Sequence, residues 1–315
     1  MLSTEKTEPL LRRGPLHEVP LSWYERLLIW LLSLGPVPSH IGVIPDGNRR
    51  FARKSGLSVD QGHRAGSDKL GSVGTWANKM GVYESSIYVF STHNFNRPKS
   101  EIDGIFGEMA SLCRNILTNY SHYRNLGCRV RCVGDLEMLP RTMQRLLAKV
   151  DIVTSGNHGG KTMTVCIAYS SRHQMARMAL KLAKAVKENT LQSTDITAQL
   201  IDEYVGIEDA PEIGMLVRTS GETRLSDYLL WQGSFANLHF EPKMLPDMSF
   251  WDYFKATLYY QLGWKSTVMT QRKLNIQGRK ETVQDVGQFF RQRLFLRRVQ
   301  ADRNSYLARL AECDL

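Results

Sequence analysis

Short apolar runs alternate with longer polar or amphipathic stretches along most of the chain. The runs with the composition of buried strands are Ile41–Pro45, Ser86–Phe90, Cys128–Val133, Met163–Ala168, Ile213–Val217 and Ala236–Phe240. The stretches between the first five are long enough for crossover helices, and helices are predicted over Asp68–Lys79, Glu101–Asn119 and Ser171–Lys187. Strands that alternate with helices predict an α/β fold, with a central, mainly parallel sheet flanked by helices.

An apolar, tryptophan-containing stretch at residues 21–34 precedes the first predicted strand, and Glu25 and Arg26 interrupt it. Because a helix needs about 20 apolar residues to span a bilayer, this stretch predicts an amphipathic helix. Such a helix lies on a membrane, docks on a protein or packs on its own domain. The polar residues before it, and the lack of a small-residue cleavage site after it, do not match a secretory signal.

Changes in composition divide the chain into three predicted parts. Residues 1–39 comprise a flexible lead and the amphipathic helix, and residues 40–262 form the α/β body. Residues 263–315 form a basic helical extension. The apolar positions of this extension indicate a helix that packs on a partner, forms a helical hairpin or packs on its own domain.

The chain has 315 residues, of which 42% are hydrophobic, and a formal net charge of +10. This composition is typical of a globular protein and unlike that of a disordered chain. The positive charge predicts an anionic partner, which is nucleic acid, a phosphorylated metabolite or an acidic lipid surface. The five cysteines are scattered and include no CxxC pair, so they predict a reducing compartment rather than a disulfide framework.

The polar residues that follow the predicted strands carry the candidate chemistry. Arginine-bearing clusters lie at residues 46–50, 91–97 and 218–226, directly after the first, second and fifth strands. The carboxyl ends of parallel strands meet at one edge of a sheet, where open α/β folds bind their ligands. We therefore expect the three clusters to form one site.

The first cluster has the composition of a diphosphate site. Gly47 lets the backbone approach a ligand, and Arg49 and Arg50 can pair with phosphate oxygens. Asp46 would repel a diphosphate unless it holds a Mg²⁺ ion that bridges to the phosphate. Arg97, from the second cluster, can reach this site or the next one. On its own, Asp-Gly-Asn is also a common turn.

The third cluster contains a second candidate anion site, formed by Arg218, Arg224 and Ser226. The alternative is a surface loop in which Glu222 pairs with an arginine. The lone His63 has no metal-ligand spacing and is either structural or a contact for phosphate or proton transfer. No Walker-type or dinucleotide glycine motif is present, so the two sites predict one or two small diphosphates.

Four segments resemble, in order, the signature blocks of the cis-prenyltransferases. They are HIGVIPDGNRRFA (40–52), GHRAG (62–66), YVFSTHNFNR (88–97) and RTSGETRLSDYLLWQ (218–232). The resemblance covers residues 40–261 and implies an enzyme that extends farnesyl diphosphate by successive cis condensations with isopentenyl diphosphate. The implied product is a long polyprenyl diphosphate for dolichol synthesis and protein glycosylation. Because bacterial members usually have Gly in place of Arg49, the chain resembles the catalytic subunits of eukaryotic members.

The resemblance also implies roles for individual residues. Asp46 would bind Mg²⁺, and Asp46, Asn94 and His63 would act in catalysis. The implied substrate-binding residues are Gly47, Asn48, Arg49, Arg50 and Arg97 for the allylic diphosphate, Arg218, Arg224 and Ser226 for isopentenyl diphosphate, and Ser91 in the lining of the site. The apolar face of the helix predicted over 101–119 is either a wall of the product tunnel or plain core, and comprises Ile105, Met109, Leu112 and Ile116.

The chain departs from the family pattern in four places. Val59 stands where many members have an arginine, with Arg53 as a candidate replacement, and Asn237 stands where bacterial members have a metal-assisting Glu. His93 stands where Glu is common. No Arg-x-Gly element follows Gln261. In two-component eukaryotic members a Nogo-B receptor-type subunit supplies that element, so the resemblance implies a heteromer with this chain as its catalytic half. The alternative is a non-catalytic scaffold of the same fold.

The resemblance and the apolar helix together imply a peripheral position on the cytosolic face of the endoplasmic reticulum membrane. A nucleic-acid-binding protein is a third hypothesis, which predicts a basic stripe with aromatic stacking platforms. The arginines of this chain instead cluster after strands, together with Asp and Ser. We therefore expect a membrane surface and no nucleic acid among its partners.

Overall fold

A six-stranded sheet forms the centre of the structure, a computed structural model that describes residues 16, 18–157, 159–206, 210–281 and 285–312, with only the backbone at 274–281. The strands are β1 (His40–Ile44), β2 (Glu84–Ser91), β3 (Arg129–Val133), β4 (Thr162–Tyr169), β5 (Met215–Arg218) and β6 (Asn237–Phe240). They lie in the order β3-β4-β2-β1-β5-β6, and each pairing is parallel. The predicted strands and the α/β fold class are confirmed.

Helices flank the sheet. They are α1 (Trp23–Ser33), α2 (Asn48–Lys54), α3 (Val59–Met80), α4 (Lys99–Thr118), α5 (Tyr120–Asn125), α6 (Arg141–Thr154), α7 (Ser171–Lys187), α8 (Ala198–Val205), α9 (Phe250–Glu281) and α10 (Val286–Glu312). Strands β2, β3 and β4 all lie on one side of β1, whereas β5 and β6 lie on its other side. This change of side creates a switch point at the carboxyl end of β1, where open α/β sheets bind ligands.

Helix α3 begins at Val59, earlier than the predicted helix over 68–79, and a capping box fixes its start. Its first turns are rich in glycine because α2 crosses them closely. A Cβ atom at Gly62 would lie 2.5 Å from the carbonyl oxygen of Asn48. These glycines weaken the helical signal in the sequence, but they let α3 bring His63 close to the end of β1.

Helix α1 packs one face on the body and exposes the other. Ile29 and Leu32 are buried in the cluster that α3 and α9 also enter, whereas Trp23 and Trp30 are 77% and 57% exposed. Glu25, which interrupts the apolar pattern, belongs to the capping box that starts this helix. No helix in the described ranges has both the length and the apolar composition required to cross a bilayer.

Helices α9 and α10 form the C-terminal region. Helix α9 continues through the predicted boundary between residues 262 and 263. Helix α10 packs on the protein's own body, with Phe295, Leu307 and Leu310 buried. The three-part division of the chain stays a prediction, and most of the predicted flexible lead, residues 1–15 and 17, lies outside the described residues.

A buried ion pair crosses the neighbouring strands β3, β4 and β2. Arg131 Nη1 lies 3.0 Å from Glu84 Oε1, which also accepts a hydrogen bond from the Thr164 hydroxyl. The Arg131 side chain is 2% exposed, and that of Glu84 is fully buried. Because each charge has lost its water, each depends on the other for compensation.

We expect Arg131→Met to lower the free energy of unfolding by about 3–5 kcal/mol, because it leaves the Glu84 carboxylate buried without its cationic partner. The double variant Glu84→Leu/Arg131→Met removes both charges and should recover most of that loss. Urea unfolding followed by circular dichroism measures both variants.

The exposed pair of Arg64 and Glu108, whose charged atoms are 2.7 Å apart, provides the control. Arg64→Met should lower the free energy of unfolding by at most about 1 kcal/mol, because water already screens this pair. Equal losses for Arg64→Met and Arg131→Met would contradict the expected importance of burial.

Candidate active site

A cavity of about 710 Å³ opens at the carboxyl edge of the sheet, where β1, β2 and β5 end. All of the predicted site residues line it: Asp46, Gly47, Asn48, Arg49, Arg50, His63, Ser91, Asn94, Arg97, Arg218, Arg224 and Ser226. The three arginine-bearing clusters therefore meet in one place, as predicted. The individual roles of these residues stay predictions.

Asp46 joins the ends of β1 and β5. Its Oδ2 atom lies 2.8 Å from Arg218 Nη2, and its Oδ1 atom accepts the Gly47 N–H at 2.7 Å. The Thr219 hydroxyl donates to the Asp46 carbonyl oxygen at 2.7 Å and accepts the Asp46 N–H at 2.8 Å. The sheet sets up these contacts, because the register of β1 and β5 pairs Ile44 with Arg218.

The turn after β1 requires glycine at position 47. Gly47 has a φ of +99°, a conformation that other residues rarely adopt. A Cβ atom there would also lie 2.8 Å from the Cβ of Met244. The sequence Asp-Gly-Asn thus forms a turn and lines the cavity at the same time.

An unpredicted carboxylate, Glu101, holds two of the predicted arginines. Its Oε1 atom lies 2.8 Å from Arg97 Nη1, and its Oε2 atom lies 3.5 Å from Arg49 Nη1. Burial lowers the pKa of Arg97, and the charge of Glu101 opposes that shift. The sequence did contain a signal, since Arg97 and Glu101 are only four residues apart.

Glu222, a carboxylate of the third cluster, likewise contacts two of the predicted arginines. It forms an ion pair with Arg224, and its other oxygen lies 3.5 Å from Arg50 Nη2. Arg50 also donates to the Ser220 carbonyl oxygen at 3.1 Å. The surface-loop alternative foresaw an arginine pair for Glu222, but Glu222 and both of its arginine partners line the cavity.

His63 and Asn48 present buried polar atoms at the cavity. Burial lowers the pKa of His63 below its usual 6.5; Glu101 opposes this shift, while the charges of Arg97 and Arg49 add to it. Among the described residues, His63 Nε2 and Asn48 Oδ1 have no hydrogen-bond partner. Buried polar atoms are nearly always paired; Asn48 Oδ1 packs against Gly66 of α3, which leaves His63 Nε2 as the atom to which a polar ligand can bond.

Ser91 and Asn94 form one local unit at the end of β2. A 3₁₀ turn over Thr92–Asn96 follows the strand, and the Asn94 side-chain oxygen accepts the Ser91 N–H at 3.0 Å. The Arg97 N–H donates to the Asn94 carbonyl oxygen at 3.0 Å. The turn thus fixes all three side chains relative to the cavity.

Part of the cavity wall is apolar. It consists of Leu70, Ile87, Val89, Ile105, Met109, Leu112, Met163 and Val165. Three of the four residues predicted as a tunnel wall are among these, whereas the fourth, Ile116, is fully buried in the core. A smaller cavity of about 50 Å³ shares Leu70, Ile87 and Met163 with the first. A hydrocarbon chain therefore has an apolar surface to follow.

The loop after β5 is held in an unusual backbone conformation. Ser226, Asp227 and Leu229 have φ values of +51°, +62° and +45°, which are unfavourable for residues with a side chain. The Ser226 hydroxyl accepts a hydrogen bond from Arg218 Nη1 at 2.6 Å, and the Tyr88 hydroxyl donates to the Ser226 carbonyl oxygen at 3.1 Å. These contacts keep Ser226 against Arg218.

The residues at which the chain departs from the family pattern do not all lie at the cavity. Arg53, the candidate replacement for the arginine that other members have at position 59, lines the cavity. Asn237 lies in β6 and is not part of the lining. Arg172 and Asp227 also line the cavity and were not predicted. Arg172 follows β4 just as the predicted clusters follow their strands, so the sequence did offer a signal for it.

Asp46 is the residue of the site that fits a Mg²⁺ ion, as one carboxylate ligand. Across the described ranges, no group of three or more His, Cys, Asp or Glu side chains is arranged to hold a metal ion. Mg²⁺ is often held by one or two carboxylates together with substrate phosphates and waters. Asp46 supplies one such carboxylate at a cavity rich in arginine, so a site completed by a diphosphate fits these residues.

Comparison with known proteins identifies the family. The family model described as "Putative undecaprenyl diphosphate synthase" matches residues 44–266. The crystal structure of lavandulyl diphosphate synthase from Lavandula x intermedia, in complex with dimethylallyl diphosphate, matches with a TM-score of 0.66 and 27% identity. That match covers 71% of this chain and 95% of the plant chain. This chain therefore belongs to the cis-prenyltransferase family, whose members are transferases.

The chain is also similar to individual members of the family. The chain is 35% identical over 265 residues to dehydrodolichyl diphosphate synthase complex subunit DHDDS from Homo sapiens, covering 84% of this chain and 79% of the human protein. It is 35% identical over 238 residues to a tritrans,polycis-undecaprenyl-diphosphate synthase from Methanopyrus kandleri, covering 76% of this chain and 87% of that protein.

We expect the His63 imidazole to titrate with a midpoint below 6.5, because burial disfavours its charged form. Because the pKa of His63 is lower in the folded state than in the unfolded state, the unfolded state binds the proton more tightly. The contribution of His63 to the free energy of unfolding is therefore present above about pH 6.5 and is lost as the pH falls below that value. NMR titration of the imidazole resonances, assigned with His63→Gln, measures the midpoint, and a value of 6.5 or higher would contradict the expectation.

Proposed function

We propose that this chain is the catalytic subunit of a cis-prenyltransferase that extends farnesyl diphosphate with isopentenyl diphosphate. The observation that carries the proposal is the meeting of two arginine groups at Asp46 in one cavity with an apolar wall. Arg49 and Arg97 belong to one group, and Arg218 and Arg224 to the other. Two diphosphate heads and one hydrocarbon tail match this arrangement.

The proposed reaction breaks the bond between the allylic carbon and its diphosphate oxygen. A carbon–carbon bond to the terminal methylene carbon of isopentenyl diphosphate forms, and isopentenyl diphosphate loses a proton. Arg49, Arg50 and Arg97 stabilise the charge that develops on the departing diphosphate. Arg218 and Ser226 help to hold the second diphosphate, so that the two reactants face each other in a fixed orientation.

Asp46, His63 and Asn94 are the proposed catalytic residues. His63 is a candidate acceptor for the released proton, because burial favours its neutral form. Asn94 and Ser91 line the site in an orientation fixed by the hydrogen bond between them. Mg²⁺, when bound through Asp46 and phosphate oxygens, supplies positive charge that favours departure of the diphosphate.

The proposed product is a long polyprenyl diphosphate of the dehydrodolichyl type, for dolichol synthesis and protein glycosylation. The name of the human relative, a dehydrodolichyl diphosphate synthase complex subunit, supports both this product and a heteromer. A Nogo-B receptor-type subunit is proposed to supply the Arg-x-Gly element that does not follow Gln261. The presence of Asp46 together with both arginine groups supports a catalytic role over a scaffold role.

The proposed location is the cytosolic face of the endoplasmic reticulum membrane, with peripheral attachment through α1. Trp23, Leu27, Trp30 and Leu31 of this helix are exposed. Tryptophan and leucine on one side of a helix insert into the boundary between lipid headgroups and acyl chains. A long polyprenyl product also requires a lipid phase that can accept it.

We expect Asp46→Asn to lower the incorporation of labelled isopentenyl diphosphate into farnesyl diphosphate by about 10²–10³-fold, measured with Mg²⁺ and the partner subunit. The substitution removes the carboxylate charge and retains the side-chain size. The control is Glu137→Gln, which changes an exposed carboxylate outside the cavity lining and should leave the rate unchanged.

The same assay tests the dependence on a partner. We expect little incorporation by the chain alone and full incorporation after the partner is added. Full activity of the chain alone would contradict the heteromer. No activity in any mixture would contradict the catalytic role and would favour the scaffold.

We expect Trp30→Glu to weaken binding to vesicles of phosphatidylcholine and phosphatidylserine by roughly tenfold, because it removes a large apolar side chain from the exposed face of α1. Co-sedimentation measures the bound fraction. Leu180→Glu, at an exposed apolar residue of α7, is the matched control and should bind like the wild type. Equal binding by all three proteins would contradict attachment through α1.

A further inference from the structure

Arg172 lies in the candidate active site, but the proposed function gives it no role. It belongs to the first turn of α7, directly after β4, and lines the same cavity as Arg218 and Ser226. Its side chain is 73% exposed, whereas that of Arg218 is 4% exposed. Arg172 therefore lines the cavity with a side chain that is open to solvent, where a ligand can reach it.

One edge of Arg172 is anchored to the buried carboxylate of Asp227. Arg172 Nε lies 3.3 Å from Asp227 Oδ2, and the Arg172 N–H donates to Asp227 Oδ1 at 3.1 Å. The Ser170 hydroxyl also donates to Asp227 Oδ2. Within the described part of the chain, the terminal nitrogens of Arg172 have no acceptor. The anchored edge thus leaves the outer N–H groups of a rigid, planar fork available.

The anchor fixes Arg172 close to the second arginine group. Asp227 directly follows Ser226, whose hydroxyl accepts a hydrogen bond from Arg218 at 2.6 Å. The Ser171 N–H donates to the Asp227 carbonyl oxygen at 2.9 Å. The turn between β4 and α7 is therefore joined, through both the side chain and the backbone of Asp227, to the loop that carries Ser226.

The cations of the second group are already compensated by carboxylates. Arg218 is paired with Asp46 at 2.8 Å, and Arg224 is paired with Glu222. Arg172 has a carboxylate partner too, but that partner is buried and contacts only the inner edge of the guanidinium. Arg172 can therefore bind a phosphate without giving up its ion pair.

We propose that Arg172 binds the diphosphate of isopentenyl diphosphate together with Arg218 and Arg224. The outer edge of its guanidinium matches the spacing of phosphate oxygens, and its charge adds to a site that must hold a multiply charged anion. Asp227 is the residue that orients it. This inference rests on the proposed function, because it assumes that the second arginine group holds isopentenyl diphosphate.

We expect Arg172→Ala to raise the KM for isopentenyl diphosphate by about ten- to hundredfold, the effect of losing a hydrogen bond to a charged group. The KM for farnesyl diphosphate should stay unchanged, with the enzyme assayed as the complex with its partner and Mg²⁺. The matched control is Arg177→Ala on the same helix. Arg177 pairs with Asp135 at 2.7 Å and is not part of the cavity lining, so both KM values should stay at the wild-type level.

Arg172→Lys separates binding from a purely structural role. Lysine keeps a positive charge in the cavity but loses the planar fork and the Nε contact with Asp227, so it should recover only part of the affinity for isopentenyl diphosphate. A lysine variant as defective as Arg172→Ala would overturn the proposal in favour of an anchoring role for Arg172. An unchanged KM in an active Arg172→Ala enzyme would also overturn it.

Failure of the proposed function is distinguishable from failure of this inference. If the wild-type complex incorporates no isopentenyl diphosphate, the proposed function fails. Calorimetric titration of inorganic pyrophosphate into the chain then tests Arg172 without any turnover. Weaker binding by Arg172→Ala than by the wild type and Arg177→Ala is expected, and equal binding by all three would overturn the inference.

Discussion

The ion pair between Asp46 and Arg218 is the contact on which the rest of the site depends. Arg218 Nη2 lies 2.8 Å from Asp46 Oδ2, so the pair links the ends of the neighbouring strands β1 and β5. The pair can form because the sheet register places Ile44 opposite Arg218. Arg218 is buried, and a buried guanidinium without a partner would be strongly destabilising. Asp46 therefore compensates this charge and also presents a carboxylate where the two arginine groups meet.

The same pairing of arginine with carboxylate recurs around the cavity. Glu101 holds Arg97, and Glu222 holds Arg224. Guanidinium groups that are ordered before a ligand arrives lose less conformational entropy when it binds. The apolar wall along α4 lies in the same cavity as these charges. An ordered cationic region beside an apolar surface is suited to a prenyl diphosphate, which carries a charged head on a hydrocarbon chain.

The sequence predicted the elements whose signals are local. The strands, and the polar clusters that follow them, could be read because apolar runs and strand-end arginines are contiguous in the chain. The early start of α3 was missed, since Gly62 and its neighbouring glycines reflect a close approach to α2 that only the folded chain reveals. The ion pair of Glu101 with Arg49 and the anchoring of Arg172 by Asp227 join residues far apart in sequence. Such contacts depend on the spacing of elements in three dimensions, which residue patterns do not encode.

The claim that one cavity holds two diphosphates at once is tested most directly by a crystal structure of the complex. The crystals would contain isopentenyl diphosphate and a thiolo analogue of farnesyl diphosphate that does not react. We predict one diphosphate against Arg49 and Arg97, a second against Arg218 and Arg224, and the farnesyl tail along α4. A single diphosphate that bridges both arginine groups, or ligands bound outside the cavity, would contradict this account.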